Sequence, residues 1–120
     1  MYEVVVPNPK KEIRTNYPID EVRKVIKELP TFVNTAKLII DNDTMNYYQF
    51  EAQGSNVFSF GLYLDICLHE ISPTQTALHF EGRRKIGWIN STAEITETYN
   101  YISGCINMIG KGLRGELVKK

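Results

Sequence analysis

Between Val57 and Ser72 the apolar residues Phe58, Phe60, Leu62, Leu64, Ile66 and Leu68 all occupy even positions. That period of two sends alternate side chains to one side of a β-strand, so the run predicts the longest strand of the chain. Ser72-Pro73-Thr74 turns the chain, and Thr76 to about Ile86 returns with Leu78, Phe80 and Ile86 again on even positions. For the two runs to share an apolar face, the loop between them must count three or five residues, not two or four. The same parity extends to Leu38, Ile40, Tyr48 and Phe50 in two earlier extended runs, 36–41 and 45–53, with Asp41-Asn42-Asp43 as the turn between them. Gly54-Ser55-Asn56 forms a second turn before the long strand. Tyr63, Asp65, His69, His79, Glu81, Arg83 and Lys85 point the other way, which predicts one covered and one wet sheet face.

The pattern changes to helical spacing at both ends. Residues 10–17 are extended in character; Pro18 then suits a first helical turn, and Ile19, Val22, Ile26 and Leu29 form one apolar stripe that Pro30 is expected to stop. At the other end Ser91 and Glu94 have capping-box spacing. Ile95, Tyr99, Ile102, Ile106, Ile109 and Leu113 follow at alternating intervals of four and three, predicting a long amphipathic helix that frays at Gly110 and Gly112 into a polar tail, 114–120. The fold class is therefore α+β: an antiparallel, curved sheet of about five to six strands gripped by a long C-terminal helix, with a short helix after the first strand.

This order resembles the helix-grip fold of START-like proteins, which include polyketide cyclases, plant pollen allergens and lipid-transfer domains. The local likeness lies in the Lys11-Glu-Ile-Arg-Thr-Asn-Tyr-Pro-Ile-Asp-Glu-Val22 passage from strand into helix, and in the last strand-to-helix passage. The resemblance implies an apolar cavity between sheet and C-terminal helix. Family members carry two short helices after the first strand and a longer sheet, so the departure here implies a smaller cavity or none.

Length and charge narrow the classes. The 120 residues suit one domain, 1–120, without a linker between separate cores. Fourteen basic and fourteen acidic residues cancel, leaving no field to gather nucleic-acid phosphates or anionic lipid heads. The N-terminal Met-Tyr-Glu-Val-Val-Val-Pro has no basic leader and breaks its apolar run early, so no membrane span is expected and a cytoplasmic location is the default. Cys67 and Cys105 lack any CxxC or Cys/His spacing and read as small buried thiols.

The residues expected to line a cavity are Tyr48, Phe50, Phe58, Phe60, Phe80, Tyr99 and Ile102; the alternative is that they fill a packed core. Arg84 shares the inward parity of Leu78 and Phe80, and a buried guanidinium demands a partner. It reads either as a clamp for a ligand carboxylate or phosphate, or as a residue that a bend or bulge at Gly82 returns to solvent. Asp65, His69, His79 and Glu81 suggest an acid–base cluster, but parity sends them to the wet face, and no metal-ligand spacing is legible. No catalytic residue, metal or cofactor is assigned. The leading reading is a non-enzymatic module that binds a small apolar or amphipathic molecule in a cavity between the sheet and the C-terminal helix. The second is an assembly domain whose edge strand or aromatics, Tyr47, Tyr63 and Trp88, dock a second copy or another protein. A cyclase- or hydrolase-like enzyme is the third, and it requires a titratable pair that shares a cavity.

Overall fold

The computed structural model describes residues 9–52, 62–84 and 92–116. The order is β1 (Lys10–Thr15), α1 (Ile19–Phe32), β2 (Ala36–Asn42), β3 (Tyr47–Ala52), β4 (Leu62–Ser72), β5 (Gln75–Arg84) and α2 (Thr92–Leu113). The strands form one curved antiparallel sheet in the order β1-β5-β4-β3-β2, so the first strand joins the last and β2 is the opposite edge. Both helices pack on the face that carries the even-numbered side chains of β3, β4 and β5.

Register follows the apolar parity. Tyr48 pairs with Ile66 and Ile66 with Phe80, while Phe50 pairs with Leu64 and Leu64 with Gly82. The β4–β5 connection meets the parity requirement by a different route from the one expected. Ser72 pairs with Gln75, which leaves a two-residue turn, and a register shift between Glu70 and Ser72 supplies the missing residue at Ile71. A similar shift between Leu38 and Ile40 corrects the reading of β2. Leu38 opposes Phe50, but Ile40 opposes Gln49 and so leaves the inner face, where it is 39% exposed.

Helix boundaries also differ from the pattern. Helix α1 does not stop at Pro30: it runs to Phe32, and the Val33 N–H still bonds to the Leu29 carbonyl. The proline removes one ladder bond and sits in the last turn, where the loss is smallest. The β2–β3 turn lies later than expected, at residues 43–46, with Asn46 at φ 53 and the Met45 N–H bonded to the Asn42 side chain. Helix α2 passes through Gly110 and Gly112 to Leu113, and Gly115, with a φ of 70, closes it. There the Glu116 N–H donates to the Lys111 carbonyl and the Gly115 N–H to the Gly112 carbonyl, the paired bonds of a Schellman cap. The Gly54-Ser55-Asn56 turn, Ser91, Trp88, Lys85 and residues 117–120 lie outside the described residues, as does the Glu94 side chain.

The core is one cluster in which Val22, Ile26 and Leu29 of α1, Ile102, Cys105 and Ile109 of α2 and the inner sheet residues bury one another. The stripe of α2 is turned from the one expected. Thr98, Ile102, Cys105 and Ile109 are buried, Ile95, Ile106 and Leu113 are half-buried, and Tyr99 is 43% exposed. The cause is local. Gly82 is a notch on β5 into which the Thr98 methyl fits so closely that a Cβ at Gly82 would lie 2.3 Å from Thr98 Cγ2. That contact fixes which side of the helix meets the sheet.

Candidate functional site: the gripped inner face and the polar outer groove

Of the eight residues expected at a binding face, the structure brings Tyr48, Phe50, Phe80 and Ile102 together on the inner face, each at most 1% exposed. Tyr99 is not among them, because the notch at Gly82 turns it outward. Phe58 and Phe60 lie outside the described residues. Arg84 is placed by its backbone alone: it pairs with Leu62, itself 1% exposed, and the β4–β5 ladder runs past Gly82 without a register shift. The bulge that would have returned Arg84 to solvent is therefore absent, while its side chain lies outside the described residues.

At the rim of the inner face stands a polar group that sequence reading did not assemble. Tyr48 is the largest fully buried side chain among the described residues, and its hydroxyl needs partners. It donates to Asp43 Oδ1 at 2.6 Å and accepts from Arg23 Nε at 3.0 Å. Arg23 also donates to Asp20 Oδ1 at 2.5 Å and to Asn46 Oδ1 at 2.7 Å, and Lys27 Nζ reaches Asp43 Oδ2 at 2.7 Å. Burial, followed by the bond to Asp43, pushes the Tyr48 phenol up to about 12. The Lys27 ammonium, followed by the Tyr48 hydroxyl, holds the Asp43 carboxyl below the usual carboxylate range. The group ties α1 to the β2–β3 turn. Asn46, held at a positive φ that Asn tolerates better than most residues, brings its side chain to Arg23.

The outer face is less wet than parity alone suggests. Gln49 is buried there, and the Asp65 side chain is only 14% exposed. Asp65 accepts from Arg83 Nε at 2.6 Å and Arg83 Nη2 at 3.2 Å, from the Tyr47 hydroxyl at 2.7 Å and from Gln49 Nε2 at 2.9 Å. Burial pushes this carboxyl up, and the bonds from Arg83, Gln49 and Tyr47 outweigh it, so the net displacement is downward. Arg83 also lies over the Tyr63 ring, 5.8 Å from its centroid.

Beside this network a groove of about 440 Å³ is lined by residues including Lys10, Glu12, Tyr47, Cys67, His79 and Glu81. His79 Nδ1 lies 3.7 Å from Glu12 Oε2, and Cys67 pairs directly with His79 across β4 and β5. Cys67 is exposed, a correction to its reading as a buried thiol: its odd position puts it on the outer face. Burial, followed by the charges of Asp65 and Glu81, raises its pKa, and burial pushes Cys105 up to about 12, so neither is poised as a thiolate nucleophile. Among the described residues no group of three or more His, Cys, Asp or Glu side chains is placed to hold a metal ion. No helix there is long and apolar enough to cross a membrane.

No protein-family model matches the sequence, and no curated protein matches it. Solved structures do match its fold. CalU16 from Micromonospora echinospora superimposes with a TM-score of 0.64 at 15% identity, covering 91% of this chain and 75% of that one. A START superfamily protein from Mycobacterium smegmatis gives 0.61 at 7% identity, over 89% of this chain and 96% of that one. The Zhui aromatase/cyclase from Streptomyces sp. R1128 gives 0.51 at 10% identity, over 89% and 93%. The chain has the helix-grip fold of START-like proteins.

Proposed function

We propose that this chain is a non-enzymatic binding module that takes a small apolar or amphipathic molecule between the sheet and α2. The observation that carries this reading is the aromatic inner face, Tyr48, Phe50 and Phe80, lying beneath a helix in the arrangement of START-like folds. Two features limit the space. The Thr98–Gly82 contact closes α2 onto β5, and the face on the turn side of it is filled by Ile66, Leu78 and Ile109. Space for a ligand is therefore sought at the Ala52–Leu62–Arg84 row, where the guanidinium of Arg84 is proposed to meet a carboxylate or phosphate on the ligand.

Binding is favoured over catalysis because the titratable groups at the inner rim engage one another. Tyr48, Asp43, Arg23 and Lys27 form a mutual network that leaves no member poised as general acid or base. The aromatase/cyclase with this fold nevertheless makes aromatic ring systems a sensible part of a ligand panel.

Native mass spectrometry of the purified protein, followed by thermal melts against fatty acids and polycyclic aromatic acids, tests the reading. A retained molecule, or a melt raised by members of the panel, is expected. Arg84→Met should abolish the response to the anionic members while leaving the ligand-free melt equal or slightly higher. A protein that carries no ligand and responds to no member of the panel overturns the proposal.

A further inference from the structure

The outward side of α2 is unlike that of a helix facing solvent. Among its described side chains the exposed ones are Thr96, Tyr99, Asn100, Ser103, Gly104 and Asn107, and from Thr98 to Gly110 the helix carries no charged residue. The exposed residues of α1 include Asp20, Glu21 and Lys24, the ordinary composition of a solvated helix face. On α2 the 43% exposed Tyr99 stands beside small residues, and nothing lies within 4 Å of where a Cβ at Gly104 would be. Small side chains let a second helix approach closely, and a tyrosine supplies a rigid anchor with a polar end.

The charges at the two ends of the helix indicate what approaches. Glu97 lies near the N-terminal end, and Lys111 and Arg114 lie at the C-terminal end, where Arg114 pairs with Glu116. Such a helix complements an antiparallel copy of itself. With a two-fold axis at Ser103, Tyr99 of one chain comes opposite Asn107 of the other, and the acidic end of each helix lies along the basic end of its partner. The macrodipoles then run in opposite directions, which adds to the pairing. An isologous contact of this kind closes as a dimer without propagating.

We propose that the outer face of α2 is a self-association surface on which a second copy of this chain docks its own α2 antiparallel. The edge strands are poorer candidates: β1 carries Lys10, Lys11 and Arg14, and the register shift in β2 puts Leu38 and Ile40 on opposite faces, so a continuous sheet across two chains would mismatch them. A single helix pair falls at the small, reversible end of interface sizes, so dimerisation depends on concentration.

Sedimentation velocity over a concentration series is the test. A monomer–dimer equilibrium is expected, with Ser103→Arg weakening it at least tenfold and Tyr99→Glu doing the same, both with unchanged far-ultraviolet circular dichroism. The single changes Glu97→Lys and Lys111→Glu should each weaken the dimer, and the two together in one chain should restore it, because each charge meets its opposite on the partner. A protein monomeric at every concentration overturns the proposal, as does a dimer indifferent to Ser103→Arg and Tyr99→Glu. A dimer broken by those two but not recovered by the double charge exchange overturns the antiparallel arrangement.

Discussion

Helix α1 and helix α2 cover the same sheet face, yet polar ties fix the first and fit fixes the second. Helix α1 buries Val22, Ile26 and Leu29, but its position over the β2–β3 turn is set by Arg23 and Lys27, which reach Tyr48, Asn46 and Asp43. Helix α2 buries Thr98, Ile102, Cys105 and Ile109, and its rotation is set by a methyl group entering the space left by a missing side chain at Gly82. A polar tie responds to pH and tolerates small changes of volume. A fitted contact responds to volume and is indifferent to pH.

The largest expected effect attacks the fit. Ile102 is fully buried, and its Cδ1 would lie 3.6 Å from a Cβ at Gly82. Ile102→Ala should cost about 2–5 kcal/mol, the lost transfer energy plus the cavity left behind, as read from urea denaturation midpoints. A cost below about 1 kcal/mol would mean that α2 does not depend on this contact.

Gly82→Ala is next. In an ordinary strand this change stabilises slightly by restricting the unfolded chain. Here the new methyl meets Thr98 Cγ2 at 2.3 Å, so the sign should reverse, to a loss of about 1–3 kcal/mol. Thr98→Ser removes that methyl and keeps the hydroxyl, so the pair Gly82→Ala and Thr98→Ser should recover much of the loss. Additive single and double effects would show that the helix is positioned by something else.

These two sites also mark where sequence reading succeeded and where it stopped. Strand parity was legible because each strand of the central sheet has one buried face, and Phe50, Leu64, Ile66 and Phe80 all fall inside as their positions imply. What periodicity does not carry is the position of an extra residue: the shift at Ile71 admits a two-residue turn, and the one beyond Leu38 sends Ile40 outward, neither disturbing the pattern of types. The rotation of α2 was hidden for a similar reason. Tyr99 fits the apolar stripe by type, but the notch that accepts Thr98 is a property of another strand. Of the candidate site, Tyr48, Phe50, Phe80 and Ile102 were legible from burial parity. The Arg23–Tyr48–Asp43 group was not, because its members lie up to 25 residues apart and meet only once α1 packs on the hairpin.

Tyr48→Phe probes the polar tie with almost no change of volume. The lost hydroxyl leaves Arg23 with Asp20 and Asn46, and Asp43 with Lys27, so neither partner is stranded. A loss of about 1 kcal/mol is expected, the usual net value of one hydrogen bond. The same substitution should lower hydrogen-exchange protection in α1 and leave that of α2 unchanged. Equal losses in both helices would mean that the tie serves the whole core and not α1 alone.

The smallest effect is the dependence on pH, and it separates the two helices most directly. The Lys27 ammonium and then the Tyr48 hydroxyl lower the Asp43 pKa in the folded protein relative to its ordinary value of 3.8. A carboxyl whose folded value is depressed contributes stability that is fully present above the unfolded value and lost as pH falls through the folded one. Lys27 is shifted the other way: the Asp43 bond raises it above 10.5, so its contribution is present below that value and lost only as pH rises through the raised one. The tie is therefore complete from mildly acidic to mildly alkaline pH and weakens first below about pH 4. Asp65 is depressed as well and weakens in the same acidic window, so a global melt would mix the two carboxyls. A local reading resolves them. Exchange protection of the α1 amides should fall on acidification before that of the α2 amides, and Asp43→Asn, which cannot titrate, should remove most of that early fall while leaving the Asp65 contribution in place. If α1 and α2 lose protection together in both proteins, the polar tie does not hold α1 separately and the contrast between the two helices fails.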